Sequence, residues 1–203
     1  MLKVSDLHHE FNGAEVLRGV SFGAEAGDRI HLSGPSGVGK TTLLNILAGL
    51  LAPLSGDVRR DCEAAYQFQE LRLLPWLSAE ENVAFVLPRG ADPSLVRTHL
   101  AAVELWEARD KRPAELSGGM CRRVALARAL AYAEATDAGV ILLDEPLTGV
   151  DEETKSHLYP YILRVAEGRV LILSTHDEQE AALLCNRTLT LTERGAMITE
   201  KIS

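Results

Sequence analysis

The chain has 203 residues, of which 46% are hydrophobic and 25% are charged, and these proportions suit one folded globular domain rather than a disordered chain. A formal net charge of −8 argues against binding of nucleic acid through a broad basic surface, because phosphate contacts need clustered Lys and Arg. The three cysteines lie far apart in sequence, which predicts neither a disulfide framework nor a zinc site.

The sequence gives no sign of a membrane-inserted segment. No apolar stretch follows a basic start at the N-terminus, as a secretory signal would require. The longest uncharged run, residues 41–56, is interrupted by polar residues, Gly and Pro and is too short to span a bilayer. We therefore expect no transmembrane segment in this chain, so that any membrane contact would come through a partner.

The first third of the chain alternates between apolar and polar residues. This alternation predicts strands in "LKVSDL", "EVLRGVSF" and "DRIHLSG", with Gly-Asp turns at residues 27–28 and 56–57. Leucines recur at helical spacing over residues 40–50, which predicts a helix there, and residues 64–68 are predicted as a further strand. One helix thus follows the third strand directly.

The turn between that strand and that helix, "GPSGVGKT", fits the pattern G-x-x-x-x-G-K-[ST] of a phosphate-binding P-loop. Its glycines let backbone N–H groups point at a phosphate, Lys40 can reach the β- and γ-phosphates, and Thr41 can bind Mg²⁺. A glycine-rich turn that binds nothing is the alternative, but both flanking elements match the context that the motif requires. The predicted nucleotide-binding residues here are Gly34, Pro35, Ser36, Gly37, Val38, Gly39, Lys40, Thr41 and Thr42.

A helical region follows, from Ser78 to about residue 105. Ser78 and Glu81 have the spacing of a capping box, and Pro88 and Pro93 predict breaks. Another helix is predicted to begin near Ser117, in "LSGGM", and its glycine-rich opening turn is a second place where backbone N–H groups could approach an anion.

The last third contains the apolar runs "GVILLDEP", "GRVLILSTH" and "RTLTLTERG", separated by predicted helices over residues 151–166 and 177–185. Strands that alternate with helices predict an α/β fold with a parallel sheet covered on both faces. Asp144 and Glu145 follow an apolar strand, at the edge of the sheet where α/β folds bind ligands. Asp144 suits Mg²⁺ and Glu145 suits a general base for an attacking water, although two acids at a strand end can also be merely solvated.

The motifs "GPSGVGKTT", "LSGGM" and "VILLDEP", in this order, resemble those of the ATPase subunits of ABC transporters, and the resemblance covers residues 2–195. "LSGGM" discriminates best, because many other NTPases have the remaining two motifs. "FQELRLLPWLSAEENV" and Met120 resemble the importers of nitrate, sulfonate, taurine and related small solutes. The implied fold is a RecA-like P-loop NTPase core with an N-terminal antiparallel β subdomain and an inserted α-helical subdomain over about residues 70–117, all within one domain, residues 1–203.

The resemblance implies that ATP hydrolysis, with Mg²⁺, drives solute transport through a separate membrane permease. The chain would then lie on the cytoplasmic face of the inner membrane, held there by the permease, and would depend indirectly on an extracytoplasmic solute-binding protein. Many importers have extra C-terminal helices or a regulatory domain, which we do not expect here, and we therefore expect no regulatory function. No nucleic-acid partner is expected.

In this family the signature "LSGGM" contacts the γ-phosphate of the nucleotide held by the partner subunit, which implies that Ser117, Gly118 and Gly119 serve another chain's ATP. One P-loop suffices for one triphosphate. A second anion-binding helix start in the same chain therefore favours a head-to-tail pair, either a homodimer or a pair with a related ATPase subunit.

The resemblance assigns further nucleotide-binding or catalytic roles to Phe11, Val16, Gln69, Asp151 and His176. Phe11 would stack on adenine, although a core Phe at a strand end is the alternative. Gln69 would sense Mg²⁺ and the attacking water, or be merely exposed. Asp151 would be the D-loop acid, the N-cap of the next helix, or both, and His176 would hydrogen-bond the γ-phosphate.

The predicted catalytic set is Glu145, His176, Gln69 and Lys40, and the predicted Mg²⁺ ligands are Thr41, Gln69 and Asp144. Two other functions compete with a transporter ATPase. A soluble ABC-type ATPase of DNA repair, chromosome structure or translation would need a long coiled coil or two cassettes, and the sequence has neither. A P-loop kinase of small molecules would leave "LSGGM" without a purpose.

Overall fold

The computed structural model describes residues 1–11, 13–192 and 195–200, with side chains for residues 1–11 and 13–192. Among these residues no helix is long and apolar enough to cross a membrane. The strands and helices are β1 Leu2–Phe11, β2 Ala14–Ala24, β3 Arg29–Ser33, α1 Lys40–Leu47, β4 Ser55–Arg60, β5 Ala64–Gln67, α2 Ala79–Ala84, α3 Ser94–Ala102, α4 Gly118–Ala135, β6 Val140–Asp144, α5 Glu152–Ala166, β7 Val170–Ser174, α6 Glu178–Leu184, β8 Arg187–Thr192 and β9 Gly195–Glu200.

The described strands form two sheets. In the larger sheet the order is β5-β6-β7-β3-β8-β9, and the neighbouring strands are parallel except that β9 runs antiparallel to β8. In the smaller sheet β1 lies between β2 and β4 and is antiparallel to both. The predicted α/β core with a parallel sheet and an N-terminal antiparallel sheet is therefore confirmed.

The central strands β6 and β7 are buried on both faces, which explains their uninterrupted apolar sequences. Ile141 and Leu143 pack in one core with α4 and α5, whereas Val140 and Leu142 pack in the other core with α1 and the smaller sheet. Side chains alternate between the two faces along β7 in the same way. Each such fully buried side chain contributes on the order of 2 kcal/mol to folding, so the strand ends that carry Asp144 and Ser174 are held rigidly.

The helices begin where the sequence places their capping residues. Ser78 and Glu81 form the predicted capping box of α2, since the Glu81 N–H donates to Ser78 Oγ (3.1 Å) and the Ser78 N–H donates to Glu81 Oε2 (2.8 Å). Ser117 and Asp151 cap α4 and α5 in the same way through their side-chain oxygens. Helices α2 and α3 lie within the predicted insertion and pack against α4.

Three sequence predictions of local structure need correction. Residues 56–57 are not a turn, because they lie in β4, where Gly56 has φ of 93° and a Cβ would lie 2.3 Å from the carbonyl oxygen of Asp6. The helix predicted to residue 50 ends at Leu47. The predicted helical region after Ser78 is two short helices, α2 and α3, with the predicted break around Pro88. The predicted strand "RTLTLTERG" is β8 as far as Thr192, and residues 193–194 lie outside the described residues.

Candidate functional site

A cavity of about 280 Å³ opens at the carboxyl ends of β3, β6 and β7. This is the edge of a parallel sheet where ligands bind. The cavity brings together twelve of the predicted site residues with Ser174. Its lining consists of Phe11, Val16, Ser36, Gly37, Gly39, Lys40, Thr41, Thr42, Gln69, Asp144, Glu145, Ser174 and His176.

The P-loop curls because its glycines adopt conformations that other residues avoid. Gly34, Gly37 and Gly39 have φ of 143°, 80° and 109°. Gly39 precedes α1 without a side-chain cap from the described residues, so the first N–H groups of the helix remain available to an anion. Gly34 packs against β8 instead of lining the cavity, since a Cβ there would lie 2.6 Å from the carbonyl oxygen of Leu191.

Pro35 and Val38, predicted nucleotide-binding residues as well, line an adjacent hollow together with Val16, Ser36 and Gly37. In the described structure they are not part of the cavity lining itself. Pro35 and Val38 therefore shape the P-loop from the side that faces the adjacent hollow.

Lys40 is buried at the base of the P-loop. Its Nζ donates hydrogen bonds to the carbonyl oxygens of Gly34 (2.7 Å) and Pro35 (3.0 Å). A positive charge is thus fixed inside a loop whose N–H groups are also electropositive, which favours an anionic ligand. Phosphate oxygens can exchange with these carbonyl oxygens as acceptors from the ammonium group.

Thr41 and Asp144 meet across the cavity floor. Thr41 Oγ1 donates to Asp144 Oδ2 at 2.7 Å, and Asp144 is only 2% exposed. A hydroxyl and a carboxylate in contact are oxygen ligands of the kind that Mg²⁺ takes in nucleotide sites. The residues present therefore fit the predicted metal, and the fold brings them into contact although they lie 103 positions apart in sequence.

Glu145 is held in a left-handed backbone conformation, with φ of 50°. Its N–H donates to the carbonyl oxygen of Ser174 (2.8 Å), which fixes it to the end of β7. Thr148 Oγ1 donates to Glu145 Oε2 (2.9 Å), and His176 Nε2 lies 3.4 Å from Glu145 Oε1. The imidazole of His176 is thus close enough to Glu145 to interact with its carboxylate, and the catalytic roles of both residues stay a prediction. Sequence reasoning missed Thr148, for which the signal was a hydroxyl three residues after Glu145.

An ion-pair network connects the loop of His176 with the start of α5. Lys155 Nζ donates to Glu152 Oε1 (2.7 Å) and Asp177 Oδ2 (2.8 Å), and the hydrogen bond from Lys155 lowers the pKa of Asp177. Burial raises the pKa of the neighbouring Glu180 to about 7. The network therefore fixes the segment after His176 against the helix that Asp151 caps.

Gln69 is exposed and lines the cavity, opposite the P-loop. Its backbone carbonyl oxygen accepts a hydrogen bond from Arg122 Nη1 at 3.0 Å. Two residues earlier, Gln67 is buried and donates from Nε2 to the carbonyl oxygen of Pro146 (3.2 Å). The end of β5 is thereby tied to the segment that follows β6.

Phe11 is half exposed and lines the cavity beside Val16. Its ring makes an edge-to-face contact with the ring of His9, with centroids 4.8 Å apart. Because half of the Phe11 surface is exposed to solvent, the alternative of a core phenylalanine is wrong. The exposed ring is suited to stacking on a base.

The signature turn lies elsewhere. In the described structure, Ser117, Gly118 and Gly119 do not line the cavity. Ser117 and Gly118 are exposed, and Ser117 Oγ accepts a hydrogen bond from the N–H of Met120 (3.1 Å). At Gly119 a Cβ would lie 3.1 Å from the carbonyl oxygen of Gly149, so glycine allows α4 to approach the segment before α5 closely.

Asp151 also lies outside the lining of the described cavity. Its Oδ1 accepts a hydrogen bond from the Thr154 N–H (2.9 Å), which lowers the pKa of Asp151 and confirms its role as the N-cap of α5. The two predicted roles of Asp151 remain compatible, because the second carboxylate oxygen is not used in that hydrogen bond.

Comparisons with known proteins agree with these observations. Residues 17–148 match the family described as "ABC transporter". The chain is 41% identical, over 95% of its length and 81% of the relative, to the aliphatic sulfonates import ATP-binding protein SsuB 1 of Pseudomonas savastanoi pv. phaseolicola. It is 39% identical, over 97% of its length and 80% of the relative, to the taurine import ATP-binding protein TauB of Roseobacter denitrificans. A dimeric structure of the ATP-binding cassette MJ0796 bound to ADP and Pi covers 98% of both chains, with a TM-score of 0.87 and 26% identity.

Proposed function

This chain belongs to the ABC transporter ATPase family, and we propose that it works as a homodimer in which each ATP lies between the P-loop of one copy and the signature turn of the other. It is an ATP-binding and ATP-hydrolysing subunit of a transporter. One observation carries the proposed arrangement: Ser117 and Gly118 are exposed at the start of α4, away from the cavity of their own chain. A second copy, turned head to tail, supplies the nucleotide that this turn would otherwise lack.

Each residue of the cavity has a part in phosphate binding or hydrolysis. The P-loop N–H groups and Lys40 bind the phosphates, and the exposed ring of Phe11 stacks on adenine. Thr41 and Asp144, with Gln69, would hold Mg²⁺, which neutralises charge on the β- and γ-phosphates when bound.

Glu145 acts as the general base toward the attacking water. It accepts the proton of a water that is aligned with the γ-phosphate, and a group in this role contributes roughly two to four powers of ten in rate. His176 hydrogen-bonds the γ-phosphate and orients Glu145, from which it is 3.4 Å distant. Its side chain is 64% exposed and is therefore free to turn toward a ligand.

The permease docks on an apolar hollow of about 380 Å³ between the segment after α1, β5, α4 and the helical insertion. Leu50 and Phe85 stand exposed at this hollow, and Arg72 stacks over the Phe68 ring at 4.0 Å on its margin. An amphipathic helix on the cytoplasmic side of the permease can bury these apolar side chains, with an acidic residue toward Arg72. The hollow adjoins the segment of Gln69, so docking can reach the catalytic cavity.

The protein acts on the cytoplasmic face of the inner membrane, held there by the permease, and an extracytoplasmic solute-binding protein delivers the solute. The import relatives are named for aliphatic sulfonates and taurine, so small organosulfonates are the first solutes to test. Solute selectivity belongs to the permease and the binding protein, because the described cavity of this chain is built for phosphates.

Glu145→Gln tests the proposal. The variant keeps the size and the hydrogen-bonding capacity of the side chain but cannot accept the proton, so we expect phosphate release to fall about 10²- to 10⁴-fold. ATP should then accumulate at the interface and hold the dimer together, which light scattering after size exclusion would detect. Glu178→Gln, at an exposed position on α6, is the control and should behave as the unmodified protein. A variant that remains monomeric with saturating ATP and Mg²⁺ would contradict the proposal.

A further inference from the structure

One arginine on α4 joins two loops of the catalytic cavity. Arg122 Nη1 donates hydrogen bonds to the carbonyl oxygens of Gln69 (3.0 Å) and Glu145 (3.2 Å). These acceptors follow two neighbouring strands, β5 and β6, and belong to residues with proposed roles at the Mg²⁺ ion and the attacking water. Arg122 does not line the described cavity. Its guanidinium group therefore contacts both loops from the side that faces away from the cavity.

The backbone of Glu145 requires such support. A non-glycine residue with φ of 50° is strained, at a cost of about 1–3 kcal/mol, and persists only where its surroundings fix it. The Glu145 N–H is fixed by the carbonyl oxygen of Ser174, and the Glu145 carbonyl oxygen is fixed by Arg122. Charge-assisted hydrogen bonds are among the stronger ones in proteins. Together the two bonds oppose the backbone rotation that would swing the carboxylate away from His176.

The same helix fixes a second strained residue in the same way. Arg72, on the segment after Gln69, has φ of 45°, and its carbonyl oxygen accepts from Arg128 Nη1 at 2.8 Å. Arg128 Nη2 also donates to the carbonyl oxygen of Leu71 (2.8 Å). Helix α4 therefore holds the backbone of residues 69–72 at both ends, and movement of that segment has to break a bond to α4 or move α4 with it.

We propose that Arg122 is a positioning residue for hydrolysis: it holds Glu145 in its strained, catalytically aimed conformation and couples that conformation to the position of Gln69. The proposal rests on the proposed function of Glu145 as the general base. Because the hollow assigned to the permease adjoins the segment 69–72, displacement of that segment is transmitted through Arg122 to the backbone of Glu145. The guanidinium group of Arg122 thus connects α4 to the segment of Gln69 and to the end of β6.

The test measures kcat and KM for ATP in the purified full chain. Arg122→Ala should lower kcat about 10- to 100-fold, since loss of alignment of a catalytic group costs that much, while KM stays within about twofold. Arg122→Lys should recover part of kcat, because an ammonium group can still donate to one of the carbonyl oxygens. Guanidinium ion at millimolar concentration should raise the kcat of Arg122→Ala.

Arg123→Ala is the matched control. Arg123 is the next residue on α4 and donates to the carbonyl oxygen of Val103 (2.8 Å), away from the cavity. We expect a lower melting temperature with kcat unchanged, and no response to guanidinium. The proposal is overturned if Arg122→Ala keeps the unmodified kcat, or if its loss is matched by Arg123→Ala. If Arg122→Ala does not fold, Arg122→Met decides, because Met keeps an unbranched apolar side chain but has no N–H group to donate, and an unmodified kcat with Met would also overturn the proposal.

Glu145→Gln, measured in parallel, separates the two levels of failure. If Glu145→Gln hydrolyses ATP normally, the general-base assignment fails and Arg122 has nothing to position. If Glu145→Gln is inactive while Arg122→Ala is fully active, the proposed function stands and only the positioning role fails.

Discussion

Two glycine-rich helix starts in this chain have similar local chemistry and different surroundings. At the start of α1, Gly39 has no side-chain cap from the described residues. It lines a cavity that opens at the carboxyl ends of β3, β6 and β7. At the start of α4, Ser117 accepts a hydrogen bond from the Met120 N–H, and both Ser117 and Gly118 are exposed. The first start is therefore enclosed by its own chain, and the second is not.

The difference shows why a glycine-rich turn alone does not define a binding site. An anion at α1 also meets Lys40 and faces Thr41 and Asp144, which can share a metal ion with it. Among the described residues, the turn at the start of α4 offers an anion its N–H groups and the hydroxyl of Ser117, and it is not part of the described cavity. The start of α4 thus needs a second copy of the chain to supply both the anion and the rest of the binding site. A head-to-tail dimer would provide both.

The largest effect is expected when the start of α1 is mutated in one copy of the chain and the start of α4 is mutated in the other copy. Lys40→Ala removes the cation of the P-loop, and Ser117→Arg blocks the signature turn, so each variant alone should lose about 10²-fold or more in turnover. In a mixed head-to-tail dimer one site contains both lesions and the other contains neither. Mixing the two inactive proteins should therefore restore measurable ATP hydrolysis.

The control is a mixture of each variant with itself at the same total concentration, which should stay inactive. If the signature turn served the ATP of its own chain, every site in the mixed dimer would contain one lesion. Absence of any recovery, with dimers verified by light scattering, would then count against the head-to-tail arrangement.

The cavity side of this comparison was predictable from sequence because its determinants are local. The pattern of residues 34–41 requires a strand before it and a helix after it, and both are present. Asp144 was predictable because four buried apolar residues precede it and place it at the carboxyl edge of the sheet. Motif residues on other strands could be placed only through the resemblance to a family.

The parts that sequence reasoning missed depend on contacts between distant segments. Strand β4 escaped detection because Gly56 and Asp57 resemble a turn, and only the pairing with β1 makes them a strand. No sequence pattern marks the arginines of α4, since nothing in a helical sequence shows that Arg122 donates to two carbonyl oxygens on other loops. Such contacts follow from packing, which no local pattern encodes.

A smaller effect should distinguish the start of α1 from the start of α4, because only the start of α1 has an aromatic ring beside it on which adenine can stack. Phe11→Ala removes the stacking platform beside the P-loop and should weaken ATP binding to the isolated subunit about tenfold, since stacking on an aromatic ring contributes about 1–3 kcal/mol. Binding of a fluorescent ATP analogue by titration would measure this. Phe85→Ala, at a 68% exposed ring in the apolar hollow that we propose for the permease, is the control and should leave the affinity unchanged. Ser117→Arg should also leave it unchanged, because the described cavity of the isolated subunit does not include Ser117.

The smallest effect concerns why the signature turn keeps glycine at its first helical position. A Cβ on Gly118 would meet no described atom within 4 Å apart from its chain neighbours and the backbone of its own helix. Because alanine is favoured over glycine in helices, Gly118→Ala should raise the free energy of unfolding by about 0.5 kcal/mol. Turnover should nevertheless fall, because the added methyl group would stand against the phosphate of the other copy. Gly119→Ala is the matched control, since its Cβ would lie 3.1 Å from the Gly149 carbonyl oxygen and should cancel the gain in stability. Thermal unfolding and phosphate release, measured on the same samples, decide the matter: a more stable Gly118→Ala with full turnover would mean that no phosphate approaches this turn.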